Sequence, residues 1–213
     1  MASRPPAGRE LLRYDRALGA RFVAGADEAG RGALAGPIVA AAVLFEPGAL
    51  TANQISGLER LNDSKKLAVA RRDELALLIG AAAVAISVVA ISSAEIDEHG
   101  IQAANLGSLS RALDLLQPPA DCELLVDGFA LPQQARAHRA LVKGDATSAA
   151  IAAASIIAKT TRDRVMEQLD ALTPGYGFGA HAGYGTAVHR EAITRLGPCR
   201  AHRHSFAPIS LAA

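Results

Sequence analysis

Tryptophan is absent, and only three tyrosines and five phenylalanines occur among 213 residues. The apolar half of the chain is therefore mostly small, with 47 alanines, and suits closely packed helices and strands. Cysteine is nearly absent too: Cys122 and Cys199 form no C-x-x-C motif and are too few for a disulfide framework, so they read as reduced thiols of a cytoplasmic protein. Charge of one sign is lacking, because 22 Lys and Arg face 21 Asp and Glu. A polyanionic partner would have to be held by a local basic patch. The longest apolar runs, 33–45 and 80–91, are interrupted by Gly, Pro or Ser and fall short of the roughly 20 residues of a membrane span. Arg4, Arg9, Arg13 and Arg16 precede no apolar segment, which argues against a signal peptide. No internal repeat, charge block or linker appears. Mucins, collagens, disulfide-stapled toxins and membrane proteins are excluded.

What is present reads as alternating elements. Strands at 22–26 and 38–45 flank a turn rich in glycine, and Ser64 is a plausible N-cap for a helix through Ile79. A buried strand follows at 84–91, then a short helix capped by Ser93, and a longer one marked by Leu106, Leu109, Leu113 and Leu116 and stopped by Pro118-Pro119. Strands at 123–126 and 140–142 precede a long alanine-rich helix from Ser148 to Leu172. A glycine-rich loop and a last helix to Leu196 end the pattern. Two adjacent strands followed by alternating helices and strands imply a mixed α/β sheet with helices on its faces. A soft boundary lies near residue 173.

Four acidic positions stand at strand ends or turns beside small residues: Asp27 and Glu28, Asp127, and Asp145. Carboxylates gathered from separate strands suit a hard divalent cation such as Mg²⁺, with phosphate and water supplying the remaining oxygens. Alternatives exist at each position. Asp127-Gly128 also reads as an ordinary turn, and Asp145 as a helix cap, although Thr147 and Ser148 can fill that role. Neighbours on a strand face opposite ways, so Asp27 and Glu28 share a site only if the chain bends at Ala29-Gly30-Arg31-Gly32.

Gly30-Arg31-Gly32 lets backbone approach a ligand closely, yet fits neither a P-loop nor a dinucleotide fingerprint. Asn62-Asp-Ser-Lys-Lys66 places two cations in the expected first turn of a helix, where the macrodipole disfavours them and phosphate contact would offset the cost. Lys143, Arg200 and Arg203 are further phosphate candidates. Tyr184, flanked by glycines, reads as an exposed ring able to stack on a sugar or base, and Tyr176 equally as a core edge. His181, His189, His202 and His204 read as mostly solvent-facing.

Val23-Ala-Gly-Ala-Asp27-Glu28-Ala-Gly30-Arg31-Gly32, Leu61-Asn-Asp-Ser-Lys-Lys-Leu67, Val126-Asp127-Gly128 and Lys143-Gly-Asp145 occur in that order. Ala152-Ala-Ala-Ser-Ile-Ile-Ala-Lys159, Pro174-Gly-Tyr-Gly-Phe178, His181-Ala-Gly-Tyr-Gly185 and His202-Arg-His-Ser-Phe206 follow. Together they resemble bacterial ribonuclease HII, the type 2 ribonuclease H family, over roughly residues 21–209. The resemblance implies the ribonuclease H-like α/β fold: a five-stranded mixed sheet with flanking helices and a C-terminal helical extension. Residues 1–20 would be an extension of no assigned role, 21–209 the catalytic domain with its helical part from about 173, and 210–213 a tail.

The resemblance further implies that Asp27, Glu28, Asp127 and Asp145 are the catalytic and metal-binding carboxylates, serving two Mg²⁺ or Mn²⁺ ions that share Asp27. It implies that Gly30, Arg31 and Gly32 sense the ribose 2′-hydroxyl, that Ser64, Lys65 and Lys143 lie along the phosphates, and that Tyr184 recognises the RNA–DNA junction. The implied substrates are RNA–DNA hybrids and duplex DNA carrying single ribonucleotides. A monomer without a clamp-binding peptide or membrane partner is expected. A non-catalytic hybrid-binding module of the same fold is the rival reading, and four clustered acids would harm binding to a polyanion unless metal neutralised them. The chain departs from the family pattern at Ala26 (often Val), Ala33 (often Pro) and Ala182 (often Lys); the last removes a positive charge near the substrate.

Overall fold

The computed structural model describes residues 7–61 and 68–210. Strands β1 (Phe22–Ala29) and β2 (Ile38–Phe45) form the expected antiparallel hairpin, and β3 (Ala85–Ile91) pairs antiparallel with β2. β4 (Cys122–Asp127) joins the other side of β1 in parallel, and β5 (Arg139–Leu141) continues the parallel half. The order β3-β2-β1-β4-β5 is the expected five-stranded mixed sheet. All eight residues of β2, Ile-Val-Ala-Ala-Ala-Val-Leu-Phe, are buried, which explains why its sequence does not alternate: both faces are covered.

One face is covered by α1 (Ala7–Ala17), α2 (Ala52–Leu58), α3 (Val69–Ala82) and the 24-residue α6 (Ala149–Leu172), the other by α4 (Ser93–His99) and α5 (Ile101–Leu115). The C-terminal part adds α7 (Phe178–His181), α8 (Ala187–Leu196) and α9 (Ala207–Ser210) around a small core of Leu34, Met166, Phe178 and Ile193. No described helix is long and apolar enough to cross a membrane.

Sequence periodicity missed α1 and α2. Within the first 20 residues α1 buries Leu11 and Leu12 in the main core, and its buried Asp15 accepts the Ala150 N–H at 2.9 Å, beside the Ser148 cap of α6. Ser148, not Asp145, is thus the α6 N-cap. The short helix expected from Ser93 is capped by Ser92 in a reciprocal capping box with Glu95. The expected start at Ser64, and with it Lys65, lies outside the described residues.

The packing of α6 on β1 positions the site. Alanines 149, 150 and 152–154 are all buried, and a Cβ on Gly25 would lie 2.3 Å from Ala150 C and Ile151 N. Backbone therefore rests on backbone. Two residues along a strand advance about 6.6 Å, and four along a helix about 6 Å. The Gly25–Ile151 contact therefore carries forward to Asp27 against Ser155, and on to Gly30 against Arg162.

Candidate active site

The parallel register Phe22↔Cys122 to Ala26↔Val126 ends with Asp27 beside Asp127 at the carboxyl edge of the sheet. Val23 and Leu125 lie in the core beneath α6, so alternation puts both aspartates on that face. Asp27 is only 6% exposed; it accepts the Glu28 N–H at 2.7 Å and a bond from the Ser155 hydroxyl. Burial, then Glu28, then Asp127 hold its carboxyl well above the usual range, and the two hydrogen bonds offset this only in part. Among the described residues, the charges that bear on it are other carboxylates.

Asp127 accepts the Gly144 N–H at 2.6 Å. A Cβ on Gly144 would meet Ile151 Cδ1 at 2.6 Å and Asp127 Oδ1 at 3.2 Å, so glycine lets the 3₁₀ turn Gly144–Ala146 lie against the strand end. That turn carries half-buried Asp145 to the same edge, next to exposed Lys143, whose φ of 57° starts it.

The expected bend after Asp27 does not occur, because β1 stays paired with β2 through Ala29↔Val39. Glu28 is half-buried at the rim of a cleft that Ser155 and Lys159 also line, close enough for its charge to be the largest one acting on Asp27.

Among the described residues, no three His, Cys, Asp or Glu side chains converge in ligating geometry. The donor chemistry nevertheless fits a hard divalent cation. Mg²⁺ takes one or two carboxylates directly and fills its shell with water and phosphate, and a cation would relieve the repulsion concentrated on Asp27.

Beside the acids opens a cleft of about 560 Å³, lined by Glu28 to Gly32, Ser155, Lys159 and Tyr184. The Gly30–Gly32 turn and Tyr184 are thus brought together, as expected. Tyr184 is 38% exposed and lies over two cations, Arg162 at 5.4 Å and Lys159 at 5.9 Å from its ring. The Arg31 guanidinium reaches across to Gln102 Oε1 at 2.8 Å and stacks on Phe129. Sequence reasoning missed Ser155 and Lys159. The available signal was a polar residue inside an alanine run with a lysine four positions on, which places both on one helix face.

The basic and aromatic candidates divide. Lys143 and Arg200 are exposed, but Arg203 is fully buried, which closes it to a phosphate at the surface. Its fork is consumed by main-chain carbonyls. Tyr176 is a core residue, stacked on Phe178, with its hydroxyl donating to Gly197 O at 2.7 Å.

The solvent-facing expectation fails for His189 and His202, both 0% exposed. They bond to each other, Nε2 to Nε2, at 3.2 Å; His189 Nδ1 meets Tyr184 O at 3.0 Å, and His202 Nδ1 accepts the Cys199 N–H at 2.9 Å. The carbonyl takes a proton from His189 Nδ1, and of the two Cys199 backbone groups near His202 Nδ1 the N–H at 2.9 Å is closer than the carbonyl at 3.3 Å, which favours a lone pair on that nitrogen. His202 Nε2 must then donate to His189 Nε2, so both rings are neutral.

Burial, then His189, depress the His202 pKa to about 4. A folded value below the unfolded one of about 6.5 gives stability that is complete above pH 6.5 and lost as pH falls towards 4, about 3 kcal/mol over that window. Urea unfolding should therefore show the advantage of wild type over His202→Asn shrinking by about that amount between pH 7 and pH 4. A difference independent of pH would contradict the neutral pair.

The chain matches the family model described as Ribonuclease HII over residues 24–209. It is 50% identical to Ribonuclease HII of Geobacillus kaustophilus (strain HTA426) over 203 residues, 94% of this chain and 75% of that protein. Identity to Ribonuclease HII of Rhizobium leguminosarum bv. trifolii (strain WSM2304) is also 50%, over 188 residues, 88% of this chain and 78% of the relative. Among solved structures, the ribonuclease H2 from Pyrococcus horikoshii OT3 superposes with a TM-score of 0.73 at 25% identity, covering 90% of this chain and 96% of that one.

Proposed function

The chain belongs to the ribonuclease HII family, and on that premise we propose that it is an endonuclease hydrolysing the RNA strand of RNA–DNA hybrids. In our reading it also cuts on the 5′ side of single ribonucleotides in duplex DNA, leaving 5′-phosphate and 3′-hydroxyl ends. The observation that carries this is the meeting of Asp27 and Asp127 on one sheet edge with the Gly30–Gly32 and Tyr184 cleft beside them. Acids alone would suit many metal-dependent hydrolases. The adjoining cleft of backbone and one exposed ring supplies a means of reading a sugar.

Asp27, with Asp127, Glu28 and Asp145 around it, would hold the divalent ions. Mg²⁺ or Mn²⁺, when bound as a pair, supplies an activated water for in-line attack and neutralises charge on the leaving 3′-oxygen. Ser155 orients Asp27 through its hydroxyl, and Gly144 orients Asp127 through its N–H. Lys143 would neutralise phosphate charge, and Ser64 and Lys65 are assigned the same backbone. Main-chain groups of Gly30, Arg31 and Gly32 would read the 2′-hydroxyl, the group that separates RNA from DNA. Tyr184 would stack on the adjoining deoxyribose, steadied by Lys159. We take the enzyme to work as a cytoplasmic monomer.

The test is cleavage of a labelled DNA duplex containing one ribonucleotide, with Mg²⁺, Mn²⁺ or chelator, beside an all-DNA duplex. Cutting 5′ of the ribonucleotide with either metal, none with chelator and an intact control are expected. Binding without cutting under every metal condition would instead support the non-catalytic module.

A further inference from the structure

Two guanidinium groups lie fully buried behind the cleft, Arg162 on α6 and Arg203 in the C-terminal part. Burying a charge is costly unless it is paired or hydrogen-bonded. Among the described residues, no carboxylate forms an ion pair with either. Both are satisfied by main-chain carbonyls instead. Arg203 Nη2 donates to Gly30 O at 2.8 Å and to Gly36 O at 3.0 Å, Nη1 to Arg31 O at 2.9 Å, and Nε to Gly36 O at 3.1 Å. Arg162 donates to Pro37 O at 2.9 Å, Ala182 O at 2.9 Å and Ala35 O at 3.1 Å.

Of those acceptors Gly30 and Arg31 line the cleft, Ala35, Gly36 and Pro37 form the arch that leads from them into β2, and Ala182 stands two residues before Tyr184. In a trans peptide the C=O and the following N–H point in opposite directions, and the described chain has no cis bond. Because the Gly30 and Arg31 carbonyls aim inward at Arg203, the amides of Arg31 and Gly32 aim outward. Among the described residues no acceptor takes either amide. A side chain at position 30 would destroy the arrangement, since a Cβ there would lie 1.9 Å from Arg162 Nε, and φ is +92°. Arg162 meanwhile ties the 35–37 arch to Ala182, two residues before Tyr184, and lies beneath the Tyr184 ring. The planar fork matters here, because a lysine presents one nitrogen where Arg203 holds three carbonyls.

We propose that Arg203 and Arg162 are positioning residues for ribonucleotide selectivity: Arg203 turns the Arg31 and Gly32 amides towards the 2′-hydroxyl, and Arg162 holds the Tyr184 loop in register with them. The inference rests on the ribonuclease reading above and adds what sets its selectivity.

The experiment compares wild type with Arg203→Lys. It reads KM and kcat on the single-ribonucleotide duplex, and, by fluorescence anisotropy, the Kd for the all-DNA duplex. Two amide hydrogen bonds lost to one hydroxyl predict a rise in KM of about tenfold or more, with the all-DNA Kd unchanged within about twofold. Equal weakening on both duplexes, or no change on either, overturns the proposal. Should Arg203→Lys fail to fold, amide hydrogen exchange decides, measured on the Asp27→Asn protein bound to each duplex. Protection of Arg31 and Gly32 with the ribonucleotide duplex alone is expected, and equal protection by both overturns it. A wild type that cuts neither duplex and binds both alike would instead remove the ribonuclease reading itself.

Discussion

Asparagine in place of Asp27 should abolish cleavage and, in the same protein, raise stability. The carboxylate sits 6% exposed between Glu28 and Asp127, and desolvation and both neighbours oppose its ionisation. Asparagine has the same shape and keeps an acceptor for the Glu28 N–H, but carries no charge to bury. At neutral pH in chelator, relief of that repulsion should stabilise the fold and raise Tm. Catalysis should fall by at least about a thousandfold, because the group we propose at the centre of the metal-holding set is gone. Calorimetry and single-turnover cleavage read the two effects separately. Activity within tenfold of wild type would refute the assignment of Asp27, and a lower Tm would refute the account of its burial.

Gly25→Ala should give the largest loss of stability. The added methyl would lie 2.3 Å from two backbone atoms of α6 and 2.7 Å from Ala150 O, and backbone at the start of a buried helix cannot turn aside. Helix α6 must lift from the central strand β1. We expect a loss of about 3 kcal/mol or more, and a Tm lower by about 10 °C. Because α6 also carries Ser155 and Lys159, cleavage by the folded fraction should weaken. Gly107→Ala in α5 is the control: nothing lies within 4 Å of its Cβ, and the gain in helix propensity should stabilise by about 0.5–1 kcal/mol. Similar effects of the two substitutions in thermal unfolding would show that the β1–α6 approach is not tight.

The sheet was legible because its strands carry continuous Val, Ile, Leu and Ala, and its mixed α/β class followed once the hairpin and the alternating helices were read; the strand order came from the structure. The acids were legible as well, since a charge at the end of an apolar strand has few structural uses. Asp145 stood out because Thr147 and Ser148 offered the cap, and Ser148 takes it. The short α1 and α2 were not legible, because their apolar residues are few and their stability comes from tertiary packing, α1 against α6 and α2 against α3. Histidines 189 and 202 and arginines 162 and 203 were misjudged or passed over for one reason. A polar side chain looks solvent-facing until the carbonyls that satisfy it are known.

By itself the sequence determined which residues form strands, where the carboxylates and flexible glycines fall along the chain, and, through its ordered motifs, the family. Those are local properties, set by side-chain chemistry and spacing. Only the tertiary structure decided that β1 runs straight through Asp27 and Glu28, that Asp27 shares a face with Asp127 and Ser155, and that a buried guanidinium group binds the carbonyls of Gly30 and Arg31. These depend on strand register and on backbone carbonyls from segments more than a hundred residues apart, such as Gly30 and Arg203. Every residue brings a carbonyl, so the identity of an acceptor is written in the fold and not in the residue.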